Sequence, residues 1–155
     1  MIHLAKPGES IFNSRSSAIV NPVNTVGVMG AGLAKEFARR FPAACRPYFE
    51  ACRERRMMPG SILPVQVDPL ESPNFGVLWI IHFPTKTHWK NPSLLPYVDD
   101  GLAALARFCV QRELASVAIP ALGCGLGGLP FDRVAAAVRT HLRGIDTDVT
   151  LFPPG

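Results

Sequence analysis

Val117-Ala118-Ile119-Pro120-Ala121-Leu122-Gly123-Cys124-Gly125-Leu126-Gly127-Gly128-Leu129-Pro130 passes from a short apolar run into four glycines within six residues. The apolar run reads as a buried strand, and Pro130 opens a helical period of Val134, Val138 and Leu142 that Gly144 ends. The same order of strand, glycine-rich loop and helix stands earlier in the chain. Ala18-Ile19-Val20 leads into Asn21-Pro22-Val23-Asn24-Thr25-Val26-Gly27-Val28-Met29-Gly30-Ala31-Gly32, and then Leu33, Phe37 and Phe41 recur at every fourth position, with Pro42 as the stop. Val77–Ile81 and Val149–Phe152 read as further strands, and Ile62–Val67 as a weaker one because Pro64 interrupts it. A third helical stripe carries Leu102, Leu105, Ala106 and Cys109, with Asp99 and Asp100 before it as cap candidates. Strands alternating with helices predict an α/β domain whose sheet is largely parallel.

At 155 residues the chain has the length of one domain, residues 1–155. Its 48% hydrophobic and 18% charged content exclude intrinsic disorder. The net charge of +4 suits anionic partners, although Arg53-Glu54-Arg55-Arg56 reads first as a solvated helix end. Most of the prolines fall in segments that read as loops, among them Pro59, Pro69, Pro73, Pro84, Pro92 and Pro96. Cys45, Cys52, Cys109 and Cys124 show neither a CxxC pair nor zinc-finger spacing, and His82 and His88 lack a third ligand nearby, so no metal is expected. Met1–Pro7 is too short an apolar stretch for a signal peptide, and no run is long enough to span a membrane. The expectation is a cytoplasmic monomer with reduced thiols, no membrane contact and no cofactor.

Both glycine-rich loops follow strands of one sheet, where α/β proteins bind ligands. Glycine lets backbone N–H groups approach an anion closely, and the start of the next helix adds a partial positive charge. The first loop, spaced GxxGxG, is neither the dinucleotide fingerprint nor a P-loop, and alone it is equally well explained by tight packing. Two such loops on one edge can grip a diphosphate from both sides with main-chain amides. After Ile81 comes His82-Phe83-Pro84-Thr85-Lys86-Thr87-His88-Trp89-Lys90, which puts Lys86 either at the mouth of the same crevice or on a solvated loop.

Taken together, Val20–Gly32, Pro84-Thr85-Lys86-x-x-Trp89 and Leu122–Leu129 resemble the macrodomain family, and the resemblance spans Gly8 to Pro154. The Lys86 segment is most similar to the branch that holds the DarG antitoxins, which are DNA ADP-ribosyl glycohydrolases, and the human terminal ADP-ribose–protein glycohydrolase. The resemblance implies a three-layer α/β/α fold with a central mixed, largely parallel sheet. It also implies an ADP-ribosyl hydrolase acting on thymidine-linked DNA, on acidic residues of protein, or on both. DarG antitoxins carry a further C-terminal region, so either a standalone enzyme or a trimmed piece is expected.

By the same resemblance, Asn24 holds the distal ribose and Lys86 acts at the scissile bond. Asn21, the amides of Val28, Met29, Gly30, Ala31 and Gly32, and those of Gly123, Cys124, Gly125, Leu126, Gly127 and Gly128 hold sugar and diphosphate, while Phe152 lies where an aromatic meets adenine. Two positions depart from the family. Ser10, followed by Ile11, stands where an Asp binds the adenine amine, and Gly127 stands where the human protein-directed enzyme has a catalytic Asp. Cleavage at C1″ builds oxocarbenium character on the sugar and negative charge on the leaving group. Lys86 is placed to stabilise that charge, to donate a proton, or to attack the opened sugar as a Schiff-base nucleophile. Implied partners are ADP-ribose, ADP-ribosylated DNA or protein, and a cognate ADP-ribosyltransferase. The alternatives are a non-catalytic ADP-ribose-binding reader and a phosphatase acting on ADP-ribose 1″-phosphate.

Overall fold

The computed structural model describes residues 1–71 and 76–155; the loop proline Pro73 lies outside the described residues. In chain order the elements are β1 (Ile2–Leu4), β2 (Ala18–Asn24), α1 (Gly32–Arg40), α2 (Pro42–Arg53), β3 (Leu63–Gln66), β4 (Trp79–Lys86), α3 (Leu95–Gln111), β5 (Ser116–Ile119), α4 (Phe131–Leu142) and β6 (Asp148–Leu151). Short 3-10 turns lie at Ile11–Asn13, Pro69–Glu71 and Gly125–Gly127. The strands form one sheet in the order β1-β6-β5-β2-β4-β3, parallel throughout except where β3 runs antiparallel to β4.

Both faces of the sheet are covered, which is why its central strands are apolar at successive positions rather than at alternate ones. Ala18, Val20, Ile81, Phe83, Val117 and Ile119 point into a core shared with α3 and α4. Ile19, Val23, Ile80 and Ala118 point the other way, into a core with α1, α2 and the Ile11–Asn13 turn. This period of two sorts the strands into the middle layer of three. Among the described residues, no helix is long and apolar enough to cross a membrane.

Several boundaries differ from the sequence reading. β2 runs beyond Val20 to Asn24 and β4 beyond Ile81 to Lys86, so Pro22 and Pro84 sit inside strands. Each lies where its strand has lost one neighbour. β5 pairs β2 only at Ala18 and Ile19, and β3 pairs β4 no farther than His82. A missing N–H donor is tolerated along such a one-sided stretch. Pro42 ends α1 and at once starts α2, where proline suits the first turn. The α2 residues Ala44, Cys45, Tyr48 and Ala51 are buried at helical spacing, and the Arg53–Arg56 run leaves its end for solvent. α3 begins at Leu95 with Pro96 in its first turn; Asp99 lies within it and accepts from His141 Nε2 at 2.9 Å instead of capping. β1, which extends the sheet beside β6, carries too few apolar residues to announce itself.

α3 lies flat on β4 because Gly101 has no side chain. A Cβ there would stand 2.7 Å from Phe83 Cε1 and closer still to Cζ, and the Phe83 ring is wholly buried. Gly101→Ala is therefore expected to overpack this contact and cost about 1–3 kcal/mol, read as a lower melting temperature. An unchanged melt would mean that α3 rides farther from Phe83 than the close Gly101 contact requires.

Candidate functional site

The chain leaves β2 toward β4 and leaves β5 toward β6, so the sheet order reverses between β2 and β5. Ligand crevices of open α/β sheets form at such a switch point, beyond the carboxyl ends of the strands. A cavity of about 890 Å³ opens there. Since β2 and β4 outrun β5, their last residues stand up as one wall of it.

A register shift between Val23 and Asn24 makes Lys86, not Thr85, the partner of Asn24. Bulges of this kind re-aim side chains near functional sites. Here the shift brings Asn24, expected at the distal ribose, and Lys86, expected at the scissile bond, opposite one another at the end of the wall, and both line the cavity. Lys86 Nζ donates to the Trp89 carbonyl at 3.3 Å, which holds the ammonium at this rim and leaves two N–H donors.

Asn24 organises the backbone around it. Its Oδ1 accepts from the N–H groups of Val26, Gly27 and Val28 at 3.1, 3.1 and 3.3 Å and from the Tyr48 hydroxyl at 3.0 Å. Its Nδ2 donates to the Val28 carbonyl at 2.9 Å, which leaves its second amide hydrogen outside the turn. The side chain thereby sets the turn from which the first glycine-rich loop departs.

Beyond that turn Val28, Gly30, Ala31 and Gly32 line the cavity, and α1 starts without a capping side chain. The first-turn N–H groups of Gly32, Leu33 and Ala34 thus remain available to an anion at the cavity wall. Across the cleft Gly123, Cys124, Gly125, Leu126 and Gly127 line the facing wall. Gly125, with φ at +61°, takes the left-handed conformation that turns this loop inward. Internal bonds from the N–H groups of Cys124, Gly127, Gly128 and Leu129 brace the loop. Burial pushes the Cys124 thiol up, away from the thiolate needed for nucleophilic attack.

At the far end, Ser10 and Ile11 line the cavity, and Ser10 Oγ caps its own turn by accepting from Phe12 N at 3.3 Å. Phe152 both edges the cavity and packs in the core.

Three of the assigned residues stand apart from the cavity wall. Met29 packs into the core below the loop, and Gly128 lies behind the 3-10 turn as its left-handed cap. Asn21 is fully buried against its strand partner His82, with Nδ2 3.2 Å from the imidazole Nδ1. Because His82 Nε2 donates to the Ala44 carbonyl at 2.9 Å, Nδ1 is the acceptor. Asn21 therefore satisfies a buried imidazole instead of touching a ligand. The sequence reading also missed Glu9, Thr85, Trp89 and Ser93, all of which line the cavity. Thr85 and Trp89 left a signal, in the Pro84-Thr85-Lys86-x-x-Trp89 segment. Gly127, lacking a carboxylate, has no room for one: a Cβ there would stand 2.9 Å from Ser93 Cβ and closer to its Oγ. Among the described residues, no group of three His, Cys, Asp or Glu is placed to hold a metal.

Residues 20–138 match the macro domain family. The chain belongs to the macrodomain family. It is 39% identical over 145 residues to the DNA ADP-ribosyl glycohydrolase of Mycobacterium tuberculosis, covering 93% of this chain and 40% of that protein. The solved macrodomain of M. tuberculosis DarG superposes with a TM-score of 0.93 at 37% identity, over 100% of this chain and 99% of that one. Thermosipho africanus DarTG in complex with ADP-ribose superposes at 0.88 with 31% identity, over 98% of this chain and 42% of that one. The T. africanus relative, 32% identical over 156 residues, is a DNA ADP-ribosyl transferase–DNA ADP-ribosyl glycohydrolase fusion, of which this chain covers 40%. The macrodomain thus spans about two-fifths of the curated relatives it matches.

Burial drives His82 from its ordinary value of 6.5 down to about 4, so the imidazole is neutral beneath the site. The unfolded chain takes up that proton near 6.5 and the folded macrodomain only near 4. The stability tied to a neutral His82 is therefore full above 6.5 and lost as pH falls from 6.5 toward 4. Melting temperature should fall more steeply across that window in the parent protein than in His82→Leu. Parallel slopes would mean that the folded imidazole titrates freely.

Proposed function

We propose that this macrodomain, residues 1–155, is an ADP-ribosyl hydrolase that releases ADP-ribose from thymidine-linked DNA, with acidic-residue-linked protein as a second substrate. The observation that carries the reading is the bulge that sets Lys86 opposite Asn24 at one end of a cleft walled by amides. The cleft offers donors along its middle, which suits a diphosphate, and, as the one cationic side chain among the described residues lining it, Lys86 at the end where a bond would break. The printed activity of the mycobacterial relative supports DNA as the carrier.

As the C1″ bond lengthens, negative charge gathers on the leaving group, and the Lys86 ammonium, held by the Trp89 carbonyl, stabilises it. Asn24 and the first loop hold the sugar so that it flattens in place. The wall opposite supplies no carboxylate, and Ser93 closes Gly127 to one. That closure is also the one feature favouring a reader that binds ADP-ribose without turnover. The hydrolase reading has the domain act as a cytoplasmic monomer on a product made by a cognate ADP-ribosyltransferase, in keeping with the fused T. africanus relative.

The test is release of ADP-ribose from modified DNA and from modified protein. Turnover on DNA is expected. Lys86→Ala should slow it by roughly a hundred- to a thousandfold while ADP-ribose affinity stays nearly unchanged, because free ADP-ribose has no leaving group. Release from protein alone overturns the substrate. Tight binding with no release from either carrier makes the domain a reader.

A further inference from the structure

Because α2 buries Ala44, Cys45, Tyr48 and Ala51, its other face is turned outward. Arg46, Phe49, Glu50 and Arg53 stand on that face, spaced i, i+3, i+4 and i+7. Together with Val26 and Gly27 they line a second groove, on the surface and apart from the cleft. Arg46 and Arg53 are exposed, and among the described residues neither forms an ion pair; Glu50, which stands between them, pairs with neither. Val26, on the facing side, leaves 46% of its surface in solvent. Two unpaired guanidiniums beside exposed apolar surface suit a partner that carries anions and flat apolar groups in alternation.

The groove and the cleft share one wall. Asn24 and Val28, the two ends of the turn that Asn24 holds, line the cleft, whereas Val26 and Gly27, at its crown, line the groove. A Cβ on Gly27 would stand 3.3 Å from Cys52 Cβ, so the crown lies directly on α2. The Thr25 N–H and hydroxyl both donate to the Thr87 carbonyl, at 3.0 and 2.8 Å, which joins the turn to the residue after Lys86. The groove therefore begins one turn away from Asn24 and Lys86, where the reading above puts the scissile bond. A modified base whose sugar enters a cleft has left its stack, and the strand on either side of it lies over the surrounding surface. Cation, aromatic ring and cation along one helix face match phosphate, base and phosphate along such a strand.

We propose that the Arg46–Arg53 groove binds the single DNA strand beside the modified thymidine, with the guanidiniums on backbone phosphates and Phe49 and Val26 against a neighbouring nucleotide. This assignment rests on the cleft being a site of ADP-ribosyl-DNA hydrolysis. The double variant Arg46→Gln/Arg53→Gln tests it on two substrates: a single-stranded oligonucleotide carrying one ADP-ribosylated thymidine, and the ADP-ribosylated nucleoside alone. On the oligonucleotide kcat/KM should fall roughly three- to tenfold, and its decline with rising salt should become shallower. On the nucleoside, which does not reach the groove, kcat/KM should equal the parent's. Arg139→Gln/Arg143→Gln removes the same charge from the end of α4, on the other face of the sheet, and should leave both substrates unaffected. Unchanged kcat/KM on the oligonucleotide overturns the assignment. So does an equal loss on both substrates, which would make the arginines serve the fold, or an equal loss from the α4 pair, which would reduce the effect to net charge. A larger loss on acidic-residue-linked protein than on the oligonucleotide also overturns it and gives the groove to an acidic peptide. Parent protein that cleaves neither DNA substrate overturns the hydrolase reading itself, and this assignment with it.

Discussion

Four donors converge on Asn24 Oδ1: the N–H groups of Val26, Gly27 and Val28, and the hydroxyl of Tyr48, which also donates to the Asn24 carbonyl at 2.9 Å. The first three fold the chain into a tight turn at the top of β2. The fourth anchors that turn to α2, and the Tyr48 ring lies stacked against His82 with centroids 5.3 Å apart. His82 in turn joins β4 to α2 through the Ala44 carbonyl. One carboxamide therefore fixes where the first glycine-rich loop begins, and a buried polar chain beneath it ties that start to the strand carrying Lys86. Buried networks of this kind are costly when half satisfied and rigid when complete.

The cleft follows from unequal strand lengths. β5 stops beside Ile19, whereas β2 and β4 continue together to Asn24 and Lys86. The space over the end of β5 is then bounded by those two strands and by the loop that leaves β5. Glycine-rich loops on both sides supply amides, not charged side chains, across the middle. Among the described residues lining it, the charged side chains are Lys86 and Glu9, the latter next to Ser10. Such a distribution separates holding a ligand from acting on it.

Much of this was legible in the sequence. The apolar runs at Ala18–Val20, Val77–Ile81, Val117–Ile119 and Val149–Phe152 mark β2, β4, β5 and β6, because strands buried on both faces leave an unbroken apolar trace. Most residues of the two glycine-rich loops do meet at one cavity, as does Lys86. The ends of β2 and β4 were hidden because Asn21-Pro22-Val23-Asn24 and His82-Phe83-Pro84-Thr85 have the composition of loops. Nothing local shows that Asn21 and His82, 61 positions apart, satisfy each other. The α2 helix was obscured by reading Pro42 only as a stop. Ser93 was invisible for a similar reason: its meaning comes from Gly127, a neighbour in space alone.

If the cleft is an ADP-ribose site, the two amide-lined loops act together and span a diphosphate and a second ribose. Calorimetric titration of the protein with ADP-ribose and, separately, with AMP measures this directly. ADP-ribose should bind in the micromolar range or tighter, and AMP, which reaches only one end of the cleft, much more weakly. Equal affinity for the two would contradict the account and reduce both loops to structural turns.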